Sequence, residues 1–188
     1  MNDPEGPHEL NVTEFAALIF QLGDLKLEDR AGWKRAGVQQ PESEADHRFR
    51  SAIIGYALGA MEGADAGRTA MLCLLGAHPL GDLATNTALR PAPLSEAGES
   101  RQSTDLLVNL IADFGNDYVD GRSLEAQLAQ DAEHIETLVQ AFAYEAFGHP
   151  LAKQWVEDSY FKIISTSGRK LAGAAIEVSA EDWRRPLG

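Results

Sequence analysis

One long stretch of this sequence is marked as an amphipathic helix by apolar residues that recur three and four positions apart. Ser123 is a suitable N-cap for it, and Gly148 and Pro150 end the pattern. Its apolar seam consists of Leu124, Leu128, Ile135, Leu138 and Phe142. Asp131 occupies the step of the seam between Leu128 and Ile135, so its carboxylate is predicted to point inward. Because an unpaired buried carboxylate is costly, Asp131 needs a metal, a cation or hydrogen-bond donors.

Further helical segments follow from the same periodicity and from capping residues. They are predicted at 13–22, from Ser43 to about Gly63, and at 66–75 behind Asp65. Three more are predicted in the segment LLVNLIADF, which ends at Gly115, at 150–166 and at 169–178. The sequence has no internal repeat and no hairpin signal, so the predicted fold class is all-α. We expect a single domain over 1–188, with a flexible loop at 86–103, where periodicity is lost.

Composition limits the function classes open to the chain. The net charge of −13 over 188 residues argues against nucleic acid and against anionic membranes as partners. The apolar runs are too short for a membrane helix, and the first residues lack the pattern of a secretory signal. Cys73 is the only cysteine, which excludes an internal disulfide. We therefore expect a cytoplasmic protein.

A second polar residue is predicted to point inward from the helix that follows Ser43. The stripe of Ile54 and Leu58, extended backwards in steps of three and four, reaches His47. His47 and Asp131 are thus expected to face each other inside the bundle, either as a structural hydrogen bond or as part of a site. His134 lies three positions after Asp131 and is a further candidate ligand on the same helix.

Two segments resemble a known family. LKLEDRAGWKRAGVQQPESEADHRFRSA resembles the opening of HD-domain phosphohydrolases of the 5'-deoxynucleotidase type, which read like LK…RxGW…GV…PESVAEHSFR. LAQDAEHIETLVQAFAYEAFGHPLAKQW resembles their second signature, of the form DADKLExxLQAxEY. The similarity spans roughly 15–170, with both motifs in the right order. It implies an HD-type all-α helical bundle, usually dimeric, so we expect a homodimer.

The resemblance also implies a divalent metal held by His, His-Asp and Asp. Carried over to this chain, the first His is His47 and the final Asp is Asp131. Arg30 and Trp33 match the RxGW positions, which in relatives lie near the nucleotide. An Arg there would pair with a phosphate, and a Trp would either stack on a base or anchor its loop on the bundle.

The central pair of metal ligands is absent from the gapless alignment. Relatives read like GRTAALCLLHD, whereas this chain reads GRTAMLCLLGA, so Gly76 and Ala77 replace the His-Asp pair. The two small residues are expected to leave a cavity at the pocket floor. In an alternative alignment shifted by two residues, His78 replaces the family His, which would give a metal site of His47, His78 and Asp131.

Three functions remain open from the sequence. The first is a degenerate HD-domain protein without metal or other cofactor that binds a small molecule, such as a nucleotide or phosphorylated metabolite. It would be non-catalytic, or it would use His47 and Asp131 in a metal-independent acid–base reaction, with Arg30, Trp33, Gly76, Ala77, His78 and His134 as candidate ligand-binding residues. The second is a residual phosphohydrolase with a divalent transition metal held by His78 or His134. The third is an interaction protein, such as the partner of an intact paralogue.

Overall fold

The computed structural model describes residues 12–76, 101–149 and 152–178, and these residues form an all-α fold, as predicted. A 3-10 turn at Gly23–Lys26 follows the first helix. The helices are α1 (Val12–Leu22), α2 (Ala31–Arg35), α3 (Glu44–Glu62), α4 (Ala66–Leu75), α5 (Arg101–Asp120), α6 (Leu124–Ala146), α7 (Ala152–Lys162) and α8 (Thr166–Glu177).

Local capping explains where the helices that carry the site begin. The Ser43 hydroxyl accepts from the Asp46 backbone N–H at 3.1 Å, and the Asp46 carboxylate accepts from the Ser43 N–H at 3.0 Å. This reciprocal capping box sets the start of α3, and Gly63 ends it at a φ of 73°. Asp65 and Ser123 are simple N-caps: the side chain of Asp65 accepts from the Arg68 N–H at the start of α4, and that of Ser123 accepts from the Ala126 N–H at the start of α6. These predicted boundaries are confirmed because capping depends on residues adjacent in the chain.

Helix α6 is the centre of the bundle, since α3, α4, α5, α7 and α8 all pack against it. In its predicted seam Leu128, Ile135 and Leu138 are fully buried. Leu124, the first residue of the helix, is instead exposed. Burial of each large aliphatic side chain stabilises the fold by about 2 kcal/mol, so this seam anchors the surrounding helices.

Helices α3 and α4 approach each other closely through glycines. A Cβ on Gly55 would lie 2.7 Å from the Cys73 sulfur, and one on Gly59 would lie 2.8 Å from the Ala66 Cα. Both distances are shorter than a normal contact, so the two helices could not pack this closely with larger residues at these positions. The close approach brings the start of α3 and the end of α4, which carry the candidate site residues, against α6.

Several predicted boundaries differ from the structure. Helix α5 continues through Gly115 to Asp120, because a glycine inside a helix weakens it without ending it. Residues 101–103, assigned to the predicted loop 86–103, form the start of α5, and 86–100 lie outside the described residues. Helix α7 ends at Lys162 rather than near 166. Within the described ranges no helix is both long and apolar enough to cross a bilayer.

Candidate functional site

His47 lies in the first turn of α3 with its imidazole buried against α6. Its Nδ1 contacts Oε2 of Glu136, whose side chain is fully buried. Arg50, three residues further along α3, donates to the other oxygen of Glu136 through Nε, at 2.9 Å, and through a terminal nitrogen. Glu136 thus joins the imidazole to the guanidinium. A carboxylate on Nδ1 fixes the ring orientation and leaves Nε2 as the nitrogen available to a ligand.

Glu42 extends this network to the loop before α3. Its carboxylate accepts from Trp33 Nε1 at 2.9 Å and from Arg50 at 3.3 Å. Its backbone N–H donates to the Tyr144 hydroxyl on α6 at 2.8 Å. The Glu-Ser of the first motif therefore docks the loop on α6, and Ser43 then starts the helix that positions His47.

Burial shifts the pKa of each titratable group in this network. Burial lowers the pKa of His47 to about 4, and the charge of Arg30 adds to the effect, so the imidazole is neutral at pH 7. Burial and the Glu136 carboxylate raise the pKa of Glu42 to about 7. Burial also raises the pKa of Glu136, against which the Arg50 guanidinium acts.

Glu133, on α6, interacts electrostatically with His47 from a second side. Burial raises its pKa, and a hydrogen bond from the Tyr118 hydroxyl and the charges of Arg48 and Arg30 oppose this rise. Its Oε1 is buried and has no hydrogen-bond partner among the described residues. An acceptor in that state is available to a ligand that brings a donor.

Asp131 is buried as predicted, but the prediction that it faces His47 is wrong. Its two oxygens accept from the backbone N–H groups of Ile164 and Ser165, at 2.9 and 2.8 Å. Ser165 is the N-cap of α8, so the carboxylate sits at the positive end of that helix. The buried charge is compensated by hydrogen bonds, one of the three possibilities left open by the sequence. Asp131 therefore has a structural position rather than a place beside His47.

His134 belongs to the same side of α6 as Asp131. Burial and the Lys162 charge lower its pKa, and Asp131 raises it. Among the described residues, the charges that act most strongly on His47 come from other positions, namely Arg30, Glu133 and Glu42. The cluster of possible ligand atoms around His47 in the described part of the chain contains Glu42 and Glu136 and does not include His134.

Gly76 is the first residue after α4, and Tyr118 of α5 packs directly against it. A Cβ on Gly76 would lie 2.5 Å from Tyr118 Cβ and 2.9 Å from its Cγ. The cavity expected at Gly76 is thus filled by a side chain from another helix. Ala77 and His78, the remaining residues of this predicted group, lie outside the described residues.

Trp33 is 1% exposed and serves as a loop anchor in this structure. Its ring contacts Tyr144 edge to face with centroids 5.0 Å apart and lies 4.4 Å from the Trp155 ring. A base therefore has no open face on which to stack. Arg30, at the start of α2, remains half-exposed, and its charge lowers the pKa of His47 and of Arg48.

Sequence reasoning missed Glu133 and Tyr118. The second motif, DADKLE, has acidic residues at its first and third positions, which are Asp131 and Glu133 here. That double acidic pattern was the signal for Glu133. Tyr118 had no such signal, because its contact with Gly76 joins helices whose relative placement is not encoded in a local pattern.

The described residues do not fit the metal that the resemblance implies. His47 offers Nε2 and Glu133 offers a carboxylate oxygen, whereas Gly76 has no side chain and Asp131 is engaged at α8. Two donors are fewer than the three or four protein ligands of an ordinary divalent site. The buried Arg48, which donates to the Leu74 carbonyl at 2.7 Å, adds a positive charge nearby.

A second group, of two glutamates and His47, also has the form of a cation site. One ligand atom each from Glu42, His47 and Glu136 lie within 4.8 Å of one another. Arg50 already pairs with both carboxylates, so its guanidinium supplies the compensating charge. A surface depression of about 390 Å³ beside this network is lined by Glu42, Asp46, Phe49, Arg50 and Gln140.

Comparisons with known proteins agree with this architecture. The HD domain family matches residues 22–164. The chain is 26% identical over 175 residues to the 5'-deoxynucleotidase HDDC2 of Dictyostelium discoideum, covering 85% of this chain and 90% of that protein. It is also 26% identical over 136 residues to the human 5'-deoxynucleotidase HDDC2, covering 68% of this chain and 67% of the relative.

Solved structures share the fold at low identity. A conserved hypothetical protein from Pyrococcus furiosus superposes with a TM-score of 0.63 at 24% identity, covering 86% of this chain and 99% of its own. The PH0347 protein from Pyrococcus horikoshii gives 0.60 at 23% identity, covering 85% and 94%. At this identity the structures establish the fold alone. The match to the HD domain over 22–164, which includes both motifs and the helices that position His47, shows that the chain belongs to the HD-domain family.

Proposed function

We propose that this protein binds a nucleotide or another phosphorylated metabolite at the centre formed by His47 and Glu133, without a resident divalent metal. The observation that carries the proposal is the pair of arginines at this centre. Arg30 and Arg48 both act electrostatically on Glu133, and Arg30 also acts on His47. Two guanidinium groups favour an anionic ligand over a cation, and Arg binds phosphate particularly well.

The relatives support the ligand class. Curated relatives are named 5'-deoxynucleotidases, and their similarity covers most of this chain. Arg30 lies at the position of the family motif assigned to nucleotide contact. In the proposed complex the half-exposed Arg30 pairs with a phosphate, and the neutral His47 and the free Oε1 of Glu133 form hydrogen bonds with the ligand. These two groups would also be the acid and base of any metal-independent reaction.

Metal analysis and ligand titration test the proposal together. The purified protein is expected to contain far less than one equivalent of Mn, Fe, Co or Zn. Deoxynucleoside 5'-monophosphates, titrated calorimetrically in EDTA, are expected to bind, and Arg30→Ala should weaken binding at least about tenfold. Arg35→Ala, at an exposed position of the same short helix, is the matched control and should leave affinity unchanged. Stoichiometric metal in the purified protein would overturn the proposal.

A residual metal-dependent phosphohydrolase is the second candidate. It is favoured by the names of the relatives and requires His78 or His134 as a substitute ligand. It predicts phosphate release from nucleoside monophosphates that is stimulated by a divalent metal and lost in His47→Ala. Turnover that is equal with and without EDTA would count against this candidate and support metal-independent acid–base chemistry.

The protein partner of this chain is a proposal separate from that of the ligand. We propose a homodimer, as the family resemblance implies, with an intact HD-domain paralogue as the alternative partner. Light scattering of the purified chain at several concentrations distinguishes the two: a stable mass of two chains supports the homodimer. A monomer that gains mass only when the paralogue is added supports the alternative.

A further inference from the structure

The lack of space around residue 76, and not its backbone conformation, favours a glycine at this position. Its φ of −79° and ψ of −35° are helical values that any residue adopts. A Cβ at this position would lie 2.5 Å from the Tyr118 Cβ. It would also lie 2.6 Å from the Leu72 carbonyl oxygen, one turn back in α4. Any larger residue at 76 therefore requires Tyr118 to move and the end of α4 to relax.

The backbone of Tyr118 is held in place from two sides. Gln130 of α6 donates to the Tyr118 carbonyl at 2.7 Å. The preceding residue, Asp117, pairs with Arg68 of α4 at 2.5 Å and accepts from the Ser123 hydroxyl at 2.8 Å. Because α5 is tied to both neighbours at this point, Tyr118 cannot withdraw from Gly76 without breaking these contacts.

The hydroxyl end of the Tyr118 side chain reaches Glu133 in the proposed ligand centre. Its hydroxyl donates to Glu133, and burial, together with the charge of Glu133 and this bond, raises the pKa of the phenol. The second oxygen of Glu133, Oε1, keeps no partner among the described residues. One tyrosine therefore both packs at the position of a family ligand and hydrogen-bonds the acidic residue beside His47.

We propose that Tyr118 is the residue that closes this centre to divalent metals and positions Glu133 for a ligand. Its Cβ and Cγ occupy the space that the side chain of residue 76 would need, and its hydroxyl engages one oxygen of Glu133. The free Oε1 is then directed to a hydrogen-bond donor, such as a ligand hydroxyl or a protonated phosphate oxygen. This inference rests on the proposed metal-free ligand site and names the residue that makes it metal-free.

The steric part is tested by a double-mutant cycle on stability. Gly76→Ala is expected to lower the denaturant midpoint strongly in the native background and much less in a Tyr118→Gly background, which removes both the Cβ and the Cγ that residue 76 would meet. Gly115→Ala, where a Cβ meets nothing within 4 Å, is the control that should behave alike in both. Equal losses from Gly76→Ala in both backgrounds would place the barrier in the Leu72 carbonyl and overturn the inference.

The metal part is tested by restoring the family ligands. The triple variant Gly76→His/Ala77→Asp/Tyr118→Gly is titrated with Co²⁺, and its visible absorption spectrum reports ligand geometry. It is expected to bind Co²⁺ at least about tenfold more tightly than the double variant that retains Tyr118. Equal affinity of the two variants would overturn the inference.

A further variant distinguishes the positioning of Glu133 by the Tyr118 hydroxyl from the packing of Tyr118 against Gly76. Tyr118→Phe keeps the ring and removes only the hydroxyl, so its fold and its low Co²⁺ affinity should persist while nucleotide affinity falls about tenfold. Unchanged nucleotide affinity would overturn the positioning role. The outcomes are distinct from those of the proposed function: a native protein that carries metal refutes that proposal, whereas a metal-free, nucleotide-binding native protein with an additive cycle refutes only the role of Tyr118.

Discussion

His47 and Glu136, 89 positions apart in the sequence, are joined directly through imidazole Nδ1 and carboxylate Oε2. Arg50 holds the other oxygen of Glu136, so the carboxylate is shared by a neutral ring and a cation. Such a carboxylate fixes which ring nitrogen faces a ligand. Glu136 contacts both His47 and Arg50 and is therefore the central side chain of the network. Its position on the helix alone does not distinguish it from any other buried glutamate.

Removal of Glu136 should therefore destabilise the protein strongly. In Glu136→Ala the buried His47 and the Arg50 guanidinium lose their shared partner, and we expect a loss of about 3 kcal/mol of unfolding free energy. Glu145→Ala, an exposed glutamate on the same helix, should change stability by less than about 0.5 kcal/mol. Urea unfolding of the two variants measures the difference. Similar small losses in both would show that the network contributes little.

Glu42 should make stability fall as the pH rises. Its pKa is raised from 4.5 to about 7 in the folded protein, so its contribution is fully present below pH 4.5 and is lost as pH rises through 7. Glu42→Gln keeps an acceptor for Trp33 and does not titrate. Relative to the native protein, it should gain up to about 3 kcal/mol between pH 4 and pH 8. A constant difference across this range would contradict the raised pKa.

His47 should make stability fall as the pH decreases, over nearly the same pH range. Its pKa is lowered from 6.5 to about 4, so its contribution is present above pH 6.5 and is lost as pH falls through 4. We expect the His47 imidazole signal in proton NMR to titrate near pH 4, while the fold persists. A midpoint near 6.5 would mean that the ring is solvated rather than buried against Glu136.

The helices of this fold could be predicted from sequence, but the pairing of its buried charges could not. Ser43 and Asp65 cap neighbouring residues, so their signals are local and the structure confirms them. The inward direction of Asp131 also followed from helical periodicity. Its partner did not, because the N–H groups of Ile164 and Ser165 reach it only once α8 docks on α6. The same holds for Tyr118, which reaches Gly76 across α5 and α4.

The structural position of Asp131 has a measurable consequence. Asp131→Ala leaves two backbone N–H groups at the start of α8 without their acceptor, and we expect a loss of about 3 kcal/mol. Nucleotide affinity of the folded variant should be unchanged, whereas Glu133→Gln should weaken binding with a small effect on stability. Asp158→Ala, at an exposed site, is the stability control. A loss of affinity in stable Asp131→Ala would place that carboxylate at the ligand after all.

Substitution of glycine by alanine should have opposite effects on stability at two helical positions. These are Gly59, where α3 and α4 are in close contact, and Gly115 on α5. A Cβ on Gly59 would lie 2.8 Å from the Ala66 Cα, a backbone atom that cannot rotate away. Gly59→Ala should therefore push the helices apart and cost about 2 kcal/mol, despite the higher helix propensity of alanine. Gly115 has nothing within 4 Å of its Cβ direction, so Gly115→Ala should stabilise α5 by about 0.5–1 kcal/mol. Thermal and urea unfolding of both variants measure the two signs. If Gly59→Ala also stabilised the protein, the spacing between α3 and α4, and with it the placement of His47 relative to Gly76, would be wider than described.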